Sequence, residues 1–223
     1  MKAEINIDVL QKLLKGQTSE KLILEALNIF KISKKNCKQQ FCLYIISLIV
    51  ALSVGMSKNT VSVVVDSAQL ILDIILALFG IVFTGYALFQ ALINNELLIR
   101  LLCTTSRDSK KEEKSKLQET NETFVKCMLL NVVAIIVSLL LRITISCIPE
   151  EFVVFKELVY NNITAAFLIS LYFYFIITIV WEIKSFVFNI FQLFNAYAGT
   201  RVLKLFEDDS NNMDEWINGD RHH

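Results

Sequence analysis

Four stretches of this chain stay apolar for about the length needed to cross oil. A helix requires about 20 apolar residues to traverse a hydrocarbon core roughly 30 Å thick. Residues 39–57 run uncharged between Lys38 and Lys58, residues 74–95 between Asp73 and Glu96, and residues 158–181 between Glu157 and Glu182. Residues 127–149 carry a single charge, Arg142. The pattern predicts an all-α, polytopic membrane protein with four transmembrane helices across residues 39–181, preceded by an amphipathic helical segment at 1–38 and followed by a helical extension and acidic tail at 182–223.

Ahead of the first span, NIDVLQKLL and SEKLILEALNIFKI are two short helical patterns separated by Gly16, Gln17 and Thr18, with Ser19 placed to cap the second. Leu10, Leu13 and Leu14, then Ile23, Leu27 and Phe30, repeat at helical spacing. This hairpin either docks a partner or the membrane surface, or packs on the ends of the spans. Between the second and third spans, residues 96–123 include RDSKKEEKSKLQETNE, a mixed-charge stretch without an apolar period, expected to be a solvated turn or helical extension. After Trp181, an interfacial anchor, the helical pattern continues with Phe186, Ile190, Phe194 and Tyr197 on one face. An aromatic face on a helix that outruns the bilayer needs cover, from other copies or from a cytosolic partner. The closing EDDSNNMDEWINGD reads as a loose acidic tail with Trp216 as its anchor.

The second span poses a chemical problem. Its leading turns hold Asp66, Gln69 and Asp73. At 100° per residue these fall with Ala77, Gly80, Thr84, Ala87 and Ala91 on one stripe roughly 100° wide, while Val64, Ile71, Ile75, Leu78, Val82, Phe89 and Ile93 take the other side. Such sorting is expected where one side meets lipid and the other meets protein or water. Small residues allow close helix packing, which accounts for the inner half of the stripe. A carboxylate against lipid costs roughly 3 kcal/mol by insertion scales, so Asp66 and Asp73 require water or a partner, and both are expected near the outer end of the helix. The third span offers one: Cys127, Asn131, Ala134, Ser138 and Arg142 share a face, and antiparallel packing would bring Arg142 close in depth to Asp66 and Asp73. The pair would be either a static clip for helix register or a gate in a charged ring lining a conduction path.

Composition and charge refine this reading. With 54% hydrophobic residues, one proline and six glycines, neither a disordered nor an ordinary soluble chain is indicated. The basic residues are unevenly placed: the first forty positions hold eight lysines, residues 96–126 hold seven Lys or Arg, and residues 182–223 hold four, whereas Lys58 and Lys156 stand singly in the remaining loops. By the positive-inside rule both termini and the middle loop face the cytoplasm. The late first span, without a small-residue cleavage site, reads as a retained anchor. Five cysteines form no CxxC, and His222 and His223, the sole histidines, read as the start of a purification tag, so no metal or cofactor is expected. Aspartyl chemistry needs carboxylates from different helices, and no P-loop or GxGxxG occurs, so no catalytic residues are assigned. The acidic residues diluting the middle loop argue against direct nucleic-acid binding.

The basic helical N-terminus, four spans with both ends inside, the FGIVFTGYALFQALINNELL segment and the extended fourth helix resemble the small four-span membrane components of bacterial anti-phage defence systems, the Kiwa membrane subunit first and the Hailong channel effector second. The resemblance implies a homo-oligomer, a tetramer for instance, in the bacterial inner membrane, working with a cytosolic protein as a sensor or membrane-perturbing effector. A signal-gated ion channel that depolarises the membrane, or a holin-like or toxin-like lesion former, are the alternatives.

Overall fold

The computed structural model describes residues 18–31, 36–57, 59–104, 115–149 and 157–219, with the side chains of residues 96, 158 and 207–219 outside that description. The first N-terminal pattern, the heart of the basic middle loop, Lys58, Lys156 and the Trp216 side chain therefore lie outside the described residues. About 92% of the described residues are helical and none of them forms a strand. The helices are α1 (Ser19–Ala26, continued by a 3-10 turn, Leu27–Phe30), α2 (Cys37–Gly55), α3 (Thr60–Leu92), α4 (Asn95–Cys103), α5 (Lys116–Ser146) and α6 (Leu158–Gly219). Four of them, α2, α3, α5 and α6, are long and apolar enough to cross a membrane, as a multi-pass membrane protein requires.

The helix ends have local causes. Asn94 has an extended backbone and its side chain accepts from the Leu97 amide at 2.8 Å, which starts α4 directly after α3. Ser115 accepts from the Gln118 amide at 3.2 Å, and Lys116 pairs with Glu119 at 2.9 Å, so α5 begins eleven residues ahead of its apolar stretch. The sole proline, Pro149, follows the end of α5. Thr18, rather than Ser19, occupies the N-cap of α1, without a side-chain cap bond. No proline interrupts α6, which runs for 62 residues. The helix includes residues 207–219, so the expected loose tail is helical in its backbone to Gly219.

The contacts separate into two compact units. One comprises Gln17–Thr84 and Glu122–Phe186, that is α1, α2 and the larger parts of α3 and α5 with the first half of α6. It cuts across the sequence-derived bounds by taking α1 in with the spans. Its core joins Ala26 of α1, Ile75 of α3, Leu130 and Ala134 of α5, and Tyr172, Ile176 and Ile179 of α6, with a second cluster at Ala51, Val64 and Ile169. The other unit holds Gly85–Asn121 and Val187–His223; within its described part Phe89, Leu97, Leu101, Leu117 and Leu193 are buried, and Tyr86 donates to Asn121 at 3.1 Å.

Three of the hydroxyls buried among the spans are satisfied within their own helices. Ser47, Ser170 and Thr178 donate to the carbonyls of Tyr44, Phe167 and Tyr174 at 2.7–2.8 Å. Close approach sets another constraint: a Cβ at Gly55 would lie 3.0 Å from Ala166 Cβ and 3.2 Å from its Cα, whereas one at Gly80 meets nothing within 4 Å. Gly55→Val is expected to lower stability by about 1–3 kcal/mol through overpacking, read as a fall in apparent Tm in mild detergent. Gly80→Ala is expected to leave the monomer's Tm unchanged.

Candidate functional site

The bulky side of α3 is the side that faces into the bundle. Val64, Ile75 and Val82 are buried and Ile71 and Leu78 half-buried. The stripe faces outward: Asp66, Asp73, Ala77, Gly80, Thr84, Ala87 and Ala91 are exposed, and Gln69 is half-buried. The bulky residues therefore do not form a lipid-facing side opposite a stripe packed within the chain. Ile71 and Ile75 find apolar partners on α6, and that burial leaves the polar and small meridian on the surface of the protomer. Within the stripe, Gln69 donates to Asp73 at 2.8 Å and Thr84 to the Gly80 carbonyl at 2.9 Å.

Asp66 and Asp73 lie inward of the level at which α2 ends. Val64 shares a core cluster with Ala51, four residues from the end of α2, and Ile75 shares one with Ile176 and Ile179. Asp66 and Asp73, two and nine residues past Val64, thus lie about 3 Å and 14 Å further along the helix. Both run alongside the uncharged first span instead of beyond its outer end. Two carboxylates stand on the outer face of a membrane bundle at the level of apolar helices.

The expected ion pair is absent. Among the described residues Arg142 bridges to neither Asp66 nor Asp73, because the α3 stripe points away from the helices that α5 packs against. The α5 face that carries Arg142 is instead the seam of the bundle: Cys127, Asn131, Ala134 and Ser138 are all buried, and Arg142 is half-buried. Tyr172 of α6 donates to Ser138 at 2.9 Å in this seam, and the Asn131 amide donates to the Cys127 carbonyl at 2.8 Å. Asn131 is 1% exposed and its Oδ1 has no hydrogen-bond partner.

Polar contacts that sequence spacing did not reveal bind α1 to this bundle. Lys126 bridges Glu25 at 2.8 Å and Glu122 at 3.6 Å. Gln40 donates to the Ile29 carbonyl at 2.9 Å and accepts from Tyr174 at 2.6 Å, while Phe30 stacks on Phe175 with centroids 5.4 Å apart. The helix before the first span is therefore packed on the spans, the plainer of its two readings. These pairs join residues up to 134 positions apart, and no local period signals them.

The proposed aromatic docking face is also divided. Phe186 is 1% exposed and packs edge-on against Phe124 at 5.1 Å, a cover that exists because α5 starts at Lys116. Ile190 and Tyr197 are half-buried and Phe194 is exposed. The open apolar surface on that stretch of α6 is carried by Val187, Phe188, Phe191 and Phe194.

A double-mutant cycle of Ser138→Ala with Tyr172→Phe is expected to report a coupling of about 0.6 kcal/mol, and at most ~1.7 kcal/mol. The same cycle on Arg142→Glu and Asp73→Arg is expected to report none beyond about 0.5 kcal/mol, the additivity seen at separated sites. The chain matches no protein-family model, and neither a curated protein nor a solved structure is significantly similar to it.

Proposed function

We propose that this protein is a homo-oligomeric subunit of the bacterial inner membrane, with both termini in the cytoplasm, whose copies meet along the outward stripe of α3 and enclose water beside Asp66, Gln69 and Asp73. The observation that carries this reading is the exposure of two carboxylates alongside uncharged spans. Left against acyl chains, each would cost roughly 3 kcal/mol by insertion scales. Repeating the stripe around a symmetry axis removes that cost, because the acids then face water or one another's polar neighbours, and Gly80, Thr84 and Ala87 permit close approach below them. A ring of carboxylates around a narrow aqueous path attracts cations and repels anions.

Of the functional classes open to such an assembly, a signal-gated cation path fits this stripe best, with no catalytic role for the chain. The resemblance in organisation to four-span defence components gives the setting: a sensor or depolarising effector in anti-phage defence, held closed until a cytosolic partner or an infection signal acts on it. The exposed apolar residues Phe188, Phe191 and Phe194 supply a surface for that partner.

Cysteine cross-linking distinguishes the arrangement. Gly80→Cys and Thr84→Cys are expected to form disulfide-linked dimers in native membranes, whereas Ile75→Cys and Val82→Cys, on the buried side, are not. Reconstituted protein is expected to conduct cations, with Asp73→Asn reducing the preference for cations over anions in single-channel recordings. Equal cross-linking from both sides of α3 would remove the basis for a stripe-to-stripe assembly, and lethality of the unpartnered protein on expression would favour a lesion former over a gated path.

A further inference from the structure

Between α3 and α6, in the unit that holds the spans, lies an open cavity of about 400 Å³. Ile71 and Ile74 form one wall, and Ile177 and Val180 the other. Its polar features are gathered at one end, where Trp181 and Lys184 complete the lining. The Lys184 ammonium sits 4.7 Å from the centroid of the Trp181 ring. The volume falls within the roughly 300–1,000 Å³ range of small-molecule sites, but such sites orient a water-soluble ligand with several convergent polar groups, and this one offers an apolar trough with one cation at its mouth.

We propose that this groove binds one acyl chain of an anionic phospholipid, with the headgroup phosphate on Lys184 and the ester region against Trp181. Three features argue for that occupant. The trough is lined by branched aliphatic side chains at the depth of a membrane span, where an acyl chain is the molecule that meets it. Trp181 ends the uncharged stretch 158–181 and Lys184 comes three residues later, at the level where indoles and snorkelling lysines meet headgroups. Charge complementarity selects the headgroup: Lys184 is exposed, whereas the neighbouring Glu182 is half-buried. A second copy docked on the α3 stripe leaves the groove open, since Ile71 and Ile74 lie about 160° and about 100° around the helix from the stripe's centre. The site stands whether or not the stripe encloses water.

The test uses the full chain in phosphatidylcholine nanodiscs containing, in separate samples, phosphatidylglycerol or phosphatidylcholine carrying a diazirine in the acyl chain at the same mole fraction. Labelling mapped by peptide mass spectrometry is expected at Ile177 and Val180, with phosphatidylglycerol favoured about five-fold, the attraction of one basic residue for an anionic surface. Lys184→Gln is expected to abolish the preference and Lys184→Arg to keep it, while Val180→Trp blocks labelling by both probes. Equal labelling by the two lipids, labelling at Ile81 and Phe83 as strong as in the groove, or cross-linking of Val180 to another polypeptide would each overturn the proposal.

Discussion

A polar group left unpaired in hydrocarbon is costly, and most intramembrane polar side chains of this molecule meet that demand by one of a few routes, while the buried Asn131 Oδ1 and Gln69 Oε1 have no hydrogen-bond partner. Small hydroxyls answer it locally: Ser47, Ser170 and Thr178 bond to carbonyls of their own helices, and they are buried without cross-helix partners. Larger groups answer it across helices, as Tyr172 does with Ser138 and Tyr174 with Gln40. Asp66 and Asp73 answer it by neither route. Asp73 accepts from Gln69 one turn away, on the outside of the bundle, and the rest of its demand has to be met by water or by another copy of the chain.

The same division orders the packing. α3 buries Val64, Ile75, Val82 and Phe89 and leaves Asp66, Asp73, Gly80 and Thr84 exposed, alongside exposed Leu70, Ile74, Leu76, Ile81, Phe83 and Leu88. α1 differs: its apolar residues Ala26, Leu27 and Phe30 join the core of the spans and its acid Glu25 is held by Lys126. Anchored at both its salt bridge and its stacked ring, this helix behaves as part of the bundle.

Much of the fold was legible in the chain because long apolar runs have few alternatives. Most of residues 39–57 and 127–149 and all of 158–181 fall in membrane-length helices that end at Gly55, Ser146 and beyond Trp181, and the unbroken helical pattern past Trp181 signals the continuation. The site was less legible. The α3 stripe was identified residue by residue, yet periodicity around one helix says that two sides differ and leaves open which is inside. The α5 face of Cys127, Asn131, Ala134 and Ser138 reads as a unit from its spacing, but nothing in that spacing says that α6 supplies Tyr172 to Ser138.

The sequence by itself determined that this is an all-helical chain with four membrane-length helices, and it set the segregation of acids, amides and small residues along α3, because hydropathy and helical period are local properties. Tertiary structure decided that α5 packs its small polar face on α6, that Phe186 is spent on Phe124, and that the α3 stripe is left on the surface. Those outcomes depend on which helices become neighbours, a choice made by shape complementarity between residues far apart in the chain, for which no window of sequence carries the information.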